Sequence, residues 1–266
     1  MNALAPEVLA YYERGDEDLR LRSGAGRLEF WRTQDVLRRV LPPRARVLDV
    51  GGGSGVHAQW LAQDGHQVEL IDPVPLHVAQ AAGLAGVSAR LGHALELPFD
   101  AGTSDVVLLL GPLYHLIDRG ERLRALAEAR RVVREGGVVV AATINRYAPV
   151  HDTLRNARYF EPAVRARNDA TVRSGEHRPA AADALFTTAY FHEPAEILAE
   201  VQDAGLDVTG QYGVEGAAWL MGDIDAWLDD PSRRADVLHA VRLTESASSL
   251  LGASAHLLTV ARRTDP

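Results

Sequence analysis

The chain contains neither cysteine nor lysine among its 266 residues. Without thiols it has no thiolate nucleophile, no cysteine-ligated zinc and no iron–sulfur cluster. Without lysine it has no Schiff base and no ammonium-derived general base. All 28 basic residues are arginine, a bias that a GC-rich genome produces by itself. No window approaches 18 uninterrupted apolar residues, and Met1 to Arg22 carries charges throughout where a signal peptide would be apolar. A cytoplasmic protein that makes no use of a membrane is therefore expected. The ten histidines show no H-x-x-x-H or H-E-x-x-H spacing, so no metal is expected. A net charge of -8 suits neither a phosphate backbone nor anionic lipid.

What is present reads as a large α/β domain. The first 41 residues are amphipathic and helical, with Leu28, Trp31, Val36, Leu37 and Val40 on one face and Glu29, Arg32, Asp35 and Arg38 off it. Pro42 and Pro43 stop this helix. Short apolar strands then alternate with helices. Strands are expected at Arg46–Val50, Gln67–Ile71, Val87–Leu91, Asp105–Leu110 and Val138–Ala142, with helices near 56–64, 75–84 and 121–134. Such alternation implies a parallel, doubly wound sheet with right-handed crossovers. Between Asn145 and Phe191 the pattern lapses into polar, helix-compatible sequence with no clear strand. It resumes with a helix at 194–204, a strand at 206–214, helical sequence at 223–252 and a closing strand at His256–Ala261.

The segment richest in chemistry is Val47-Leu48-Asp49-Val50-Gly51-Gly52-Gly53-Ser54-Gly55. A glycine turn between a buried strand and a helix aims backbone N–H groups at a ligand. Here the spacing is G-x-G-x-G rather than G-x-G-x-x-G, and Asp49 precedes the turn. A fixed carboxylate would repel a pyrophosphate but suits a ligand with an ammonium group and a positive sulfur. Asp72, at the end of the second strand, can accept both hydroxyls of a ribose.

With these residues in view, VLDVGGGSG, the LID acid, GHALELPF, SDVVLLL and RVVREGGVVV resemble, in order, the successive motifs of the class I S-adenosylmethionine-dependent methyltransferases. The resemblance spans Arg44 to Ala142 and continues weakly through FHEPAEILAEVQDAGL. It implies a Rossmann-like seven-stranded sheet whose last strand is antiparallel, with S-adenosyl-L-methionine at the C-terminal edge of strands one, two and four. It further implies that Gly51, Gly52, Gly53 and Gly55 wrap the methionine part, Asp49 sits near its amino group, and Asp72 binds the ribose. Pro73 or Val74 would pack on adenine, and Gly92-His93-Ala94 would lie along the adenine edge. The family usually has an acid where this chain has His93, and only a neutral imidazole accepts a bond from the adenine amino group.

Gly111-Pro112-Leu113-Tyr114-His115 follows the fourth strand, where cofactor and acceptor would meet. It lacks the Asn/Asp and second proline of the amino-group methyltransferases it superficially echoes. Tyr114 and His115 are the candidate catalytic residues, His115 as a base; a buried histidine bonding the backbone is the plainer role for it. Arg32 is a candidate partner for the methionine carboxylate. His151, Asp152, Tyr190 and His192 could reach the same opening, although His192-Glu193-Pro194 also reads as a helix start. His177 reads as solvated.

The organisation expected is a helical lid over 1–43 that includes Tyr11 and Tyr12, a cofactor-binding core over 44–144, a helical insertion over the acceptor pocket at 145–193, and the rest of the core over 194–266. The partner expected is a small molecule methylated at oxygen or nitrogen, with the oligomeric state, including a dimer, left open. The alternatives are an RNA methyltransferase using Arg155, Arg158, Arg165, Arg167, Arg173 and Arg178, a nicotinamide-dependent oxidoreductase, and a non-catalytic adenosylmethionine-binding module.

Overall fold

A computed structural model describes residues 6–12, 20–179 and 186–265. A seven-stranded sheet organises the chain in the order β3-β2-β1-β4-β5-β9-β8. Its strands are β1 (Arg46–Val50), β2 (Gln67–Asp72), β3 (Val87–Leu91), β4 (Ser104–Leu109), β5 (Val133–Ile144), β8 (Asp207–Gly213) and β9 (His256–Arg262). β1 to β5 pair in parallel, while β9 runs antiparallel to both β5 and β8. The expected doubly wound sheet is thus formed.

Both faces of the sheet are covered, which is why its central strands are mostly apolar, with Asp49 of β1 the buried exception that the site uses. Side chains alternate across the pleat. Val107 and Leu109 of β4 join Ala125, Leu126 and Ala129 of helix α5 (Arg119–Val132) and Ile197 and Val201 of helix α8 (Pro194–Asp203). Val106 and Leu108 join Val36 and Leu37 of helix α2 (Gly24–Val40) and Ala58, Trp60 and Leu61 of helix α3 (Val56–Gln63). Helix α4 (Pro75–Ala81) follows β2, and helix α1 (Pro6–Tyr12) precedes α2.

Several boundaries differ from expectation, each for a local reason. β5 starts at Val133 rather than Val138 and takes in Glu135-Gly136-Gly137. Val133 already pairs with Ser104, and the register shifts before Val106, so the glycines form an irregularity within a strand. A Cβ at Gly137 would come within 2.8 Å of the Asp105 carbonyl oxygen. The single helix expected at 223–252 is two, α9 (Ile224–Asp229) and α10 (Pro231–Arg242). Asp230 caps the second through Ser232 N and Arg233 N, and Pro231 occupies its first turn. The 145–193 stretch carries helices α6 (Ala148–Arg155) and α7 (Pro162–Ser174), but it also contains a short antiparallel pair, β6 (Glu176–His177) with β7 (Ala189–Tyr190).

Candidate functional site

The ends of β1, β2 and β4 open onto a cleft of ≈ 1040 Å³, part of it open to solvent. Asp49, Gly51, Gly52, Gly53, Asp72, Pro73, His93, Ala94, Gly111, Tyr114 and His115 all line it. Gly55 does not: it caps α3 with φ 90°, and a Cβ there would fall 2.6 Å from Leu84 Cδ1. Its glycine serves helix packing behind the turn.

Asp49 is 1% exposed, and neither carboxylate oxygen has a hydrogen-bond partner among the described residues. Burial, reinforced by the charge of Asp72, pushes its carboxyl up to about 7. A Cβ at Gly52 would sit 2.6 Å from Asp49 Oδ2, so only glycine leaves that carboxylate uncovered. A buried, unpartnered acid beneath a bare backbone turn fits the ammonium end of an adenosyl ligand and repels a diphosphate.

Asp72 accepts bonds from Gly53 N on Oδ2 and from Val74 N on Oδ1, each at 2.9 Å. His77 Nδ1 lies 3.1 Å from Oδ1. These bonds fix the carboxylate across the turn while leaving lone pairs for ribose hydroxyls. His115 is half-buried in the cleft wall, and loss of solvent around it holds its imidazole down at about 4; at neutral pH it is uncharged. Its Nε2 lies 2.7 Å from the Tyr12 hydroxyl, and the Tyr12 ring stands edge-on to both His115 and His77. The Tyr11 side chain lies outside the described residues.

Arg32 is a correction. It is 0% exposed and lines no cleft. Its Nε donates to Val214 O at 3.0 Å, and its terminal nitrogens pair with Asp35 and Glu245. The face of α2 that reads as solvent-facing is covered by the chain between Val214 and Glu245, which no local pattern reveals. The cation at the cleft is Arg20, bound to Glu29 Oε1 at 3.1 Å. His57 and His77 also line the cleft. The signal that marks them is position: each falls in the first turn of a helix leaving a ligand-edge strand.

A second chamber of ≈ 1220 Å³ adjoins the first, and Tyr12, Arg20 and Tyr114 line both. Its remaining wall includes Asp152, Phe186, Phe191, Trp219 and His177. His177, expected in solvent, is 8% exposed and stacks on Phe191 at 5.1 Å and 8°; β6 turns it inward. Burial holds its imidazole down at about 4. His192 lines neither chamber and is fully buried, with Nε2 3.3 Å from Glu200 Oε2, while Glu193 and Glu196 form the capping box of α8. His151 and Tyr190 line neither chamber. Of the arginines considered for RNA, Arg158 and Arg178 pair with Glu161 and Glu176.

Residues 47–137 match the Methyltransferase domain family. A ubiquinone biosynthesis O-methyltransferase of Methylobacterium nodulans is 33% identical over 196 residues, 69% of this chain and 70% of that protein. An uncharacterized methyltransferase of Mycobacterium tuberculosis is 37% identical over 130 residues, 47% of this chain and 51% of that one. Among solved structures, a possible histamine N-methyltransferase of Thermotoga maritima superposes with TM-score 0.60 at 16% identity, covering 97% of this chain and 100% of that one. An S-adenosylmethionine-dependent methyltransferase of Methanosarcina mazei gives 0.59 at 16% identity, over 87% and 98%. At these identities the two structures speak for the fold alone.

Proposed function

The chain belongs to the class I S-adenosylmethionine-dependent methyltransferases, and from that premise we propose that it methylates a hydroxyl oxygen of a small molecule held in the second chamber. One observation carries this reading: Tyr12, Arg20 and Tyr114 form a common wall between the cleft and an aromatic-lined chamber. An acceptor bound there lies beside the segment that follows β4. The O-methyltransferase relative favours oxygen over nitrogen. No helix among the described residues is long and apolar enough to cross a membrane.

When bound in the cleft, S-adenosylmethionine supplies an electrophilic methyl group on a sulfonium. The protein's part is to hold both reactants in line and dry. Asp49 takes the ammonium group, Asp72 the ribose hydroxyls, Pro73 one face of adenine, and His93 with Ala94 its edge. Tyr114 fixes the acceptor. His115, uncharged at neutral pH, takes up the hydroxyl proton at Nε2 through the Tyr12 hydroxyl, which passes on its own proton and receives the acceptor's.

The test is direct. S-adenosylhomocysteine should raise the melting temperature while NAD leaves it unchanged, since a ligand at 100 times its Kd adds about 2.7 kcal/mol. Asp72→Ala should weaken that binding by about one to two orders of magnitude, because two hydroxyls lose a charged acceptor. His115→Gln should lower kcat with little change in KM. Stabilisation by NAD in place of S-adenosylhomocysteine would refute the site; normal turnover by His115→Gln would remove the base.

A further inference from the structure

The proton step above leaves one part-buried charged cluster unused. Because β9 is antiparallel, its first residue, His256, pairs with Ile144, the last residue of β5. A residue at the start of β9 therefore stands on the same rim as the ends of the parallel strands, and His256 lines the second chamber. Its Nδ1 lies 2.6 Å from Glu215 Oε1. Glu215 is itself immobilised: its Oε2 accepts from Ser254 Oγ at 2.9 Å and from His256 N at 3.0 Å. Glu29 Oε2, from α2, lies 3.7 Å from the same Nδ1 and is held by Arg20.

This arrangement orients and charges the ring. A carboxylate on Nδ1 fixes the imidazole, so Nε2, which has no hydrogen bond among the described residues, is the nitrogen left for a ligand. Burial works against a charge there, but Glu29 and Glu215 outweigh it and carry the imidazole up to about 9. At neutral pH the ring is a cation with one free donor. Among the described residues, the other charged groups lining the chamber are Arg20, Arg158, Arg167 and Asp152, with Arg20 paired to Glu29 and Arg158 to Glu161. Its apolar lining is largely flat rings: Tyr114, Phe186, Phe191 and Trp219. A protonated imidazole beside aromatic rings selects a planar acceptor with an anionic substituent.

We propose that the acceptor is an aromatic acid whose ring packs against the Phe186–Phe191 wall and whose carboxylate accepts the Nε2–H of His256. His256 is then a specificity-determining residue, and Glu215 the positioning residue that braces it. This rests on the second chamber being the acceptor site, as proposed above.

The experiment uses the full chain saturated with S-adenosylhomocysteine. It is titrated calorimetrically with benzoate, 4-hydroxycinnamate and 3,4-dihydroxybenzoate, each against its neutral carboxamide. At least one acid should bind about tenfold tighter than its amide at pH 7. For the benzoate pair the preference should fade between pH 8 and 10, as His256 loses its proton to solvent while the carboxylate stays ionised throughout. His256→Gln, which keeps a donor but not the charge, should erase the difference while S-adenosylhomocysteine still binds. Amides as tight as acids, no binding of any acid, or a preference untouched by pH and by His256→Gln would each overturn the proposal in the wild-type scaffold. Methyl transfer to neutral acceptors alongside such a result would leave the methyltransferase reading standing. Failure of S-adenosylhomocysteine itself to bind would instead strike the cofactor site.

Discussion

At the scale of the residue, the cofactor cleft depends on an acid that titrates where proteins work. Asp49 is held up to about 7 by burial and by Asp72, so the empty site is only partly ionised at neutral pH. An ammonium group favours the ionised form, and its binding expels a proton. Affinity for S-adenosylhomocysteine should therefore fall about tenfold for each pH unit below 7, until the carboxyl of the complex itself protonates. Asp49→Asn should bind more weakly and lose this dependence; calorimetry between pH 5.5 and 8 compares the two slopes, and equal slopes would exclude Asp49 as the linked group. The sequence shows Asp49, the glycine turn and Asp72 plainly, because all lie within one strand–turn–helix–strand unit whose spacing carries their geometry. It hides Arg20, Glu29 and His256, which come together from opposite ends of the chain. Arg32 has the right chemistry for an anion but stands on a helix face that distant sequence covers.

At the scale of the element, α5 and α8 are joined by a buried ion pair that also steadies the site. Arg122 is 2% exposed and donates to Glu200 at 2.8 Å, and its guanidinium lies 3.8 Å over the Tyr190 ring. It also donates to the carbonyls of Leu116 and Ile117, at 2.9 and 2.7 Å, the residues directly after Tyr114 and His115. Arg122→Met strands the Glu200 carboxylate and should cost about 3–5 kcal/mol of unfolding free energy. Adding Glu200→Leu should recover much of it, in chemical denaturation of both variants. If the single variant is as stable as wild type, the pair holds nothing. The strands were readable from their apolar runs, since burial on both faces leaves few polar positions. The breaks within elements were less so, as at Pro231 and in the long β5, because a proline or paired glycines permit several outcomes and tertiary pairing selects one.

At the scale of the molecule, buried charges set a pH window for the fold. Burial opposes ionisation of Glu29 and Glu200, but Arg20 and His256 around the first, and His192 and Arg122 around the second, bring both down to about 2. Carboxyls lowered in the fold stabilise it fully above their unfolded value near 4.5, and that stability is lost as pH falls towards 2. His256, raised to about 9, contributes below its unfolded value near 6.5, and its contribution is lost as pH rises through 9. Urea midpoints should thus peak between pH 5 and 6.5 and decline on both sides; His256→Gln should flatten the alkaline limb and, with a cation lost beside Glu29, make the acid limb shallower. A midpoint that climbs steadily to pH 9 would contradict this. The wall between the two chambers has a different consequence. Tyr12, Arg20 and Tyr114 come from a terminal helix, the approach to α2 and a short turn after β4, and none sits on a strand. Because no strand contributes to that wall, side chains in it can change shape and charge while the sheet that carries the cleft stays as it is.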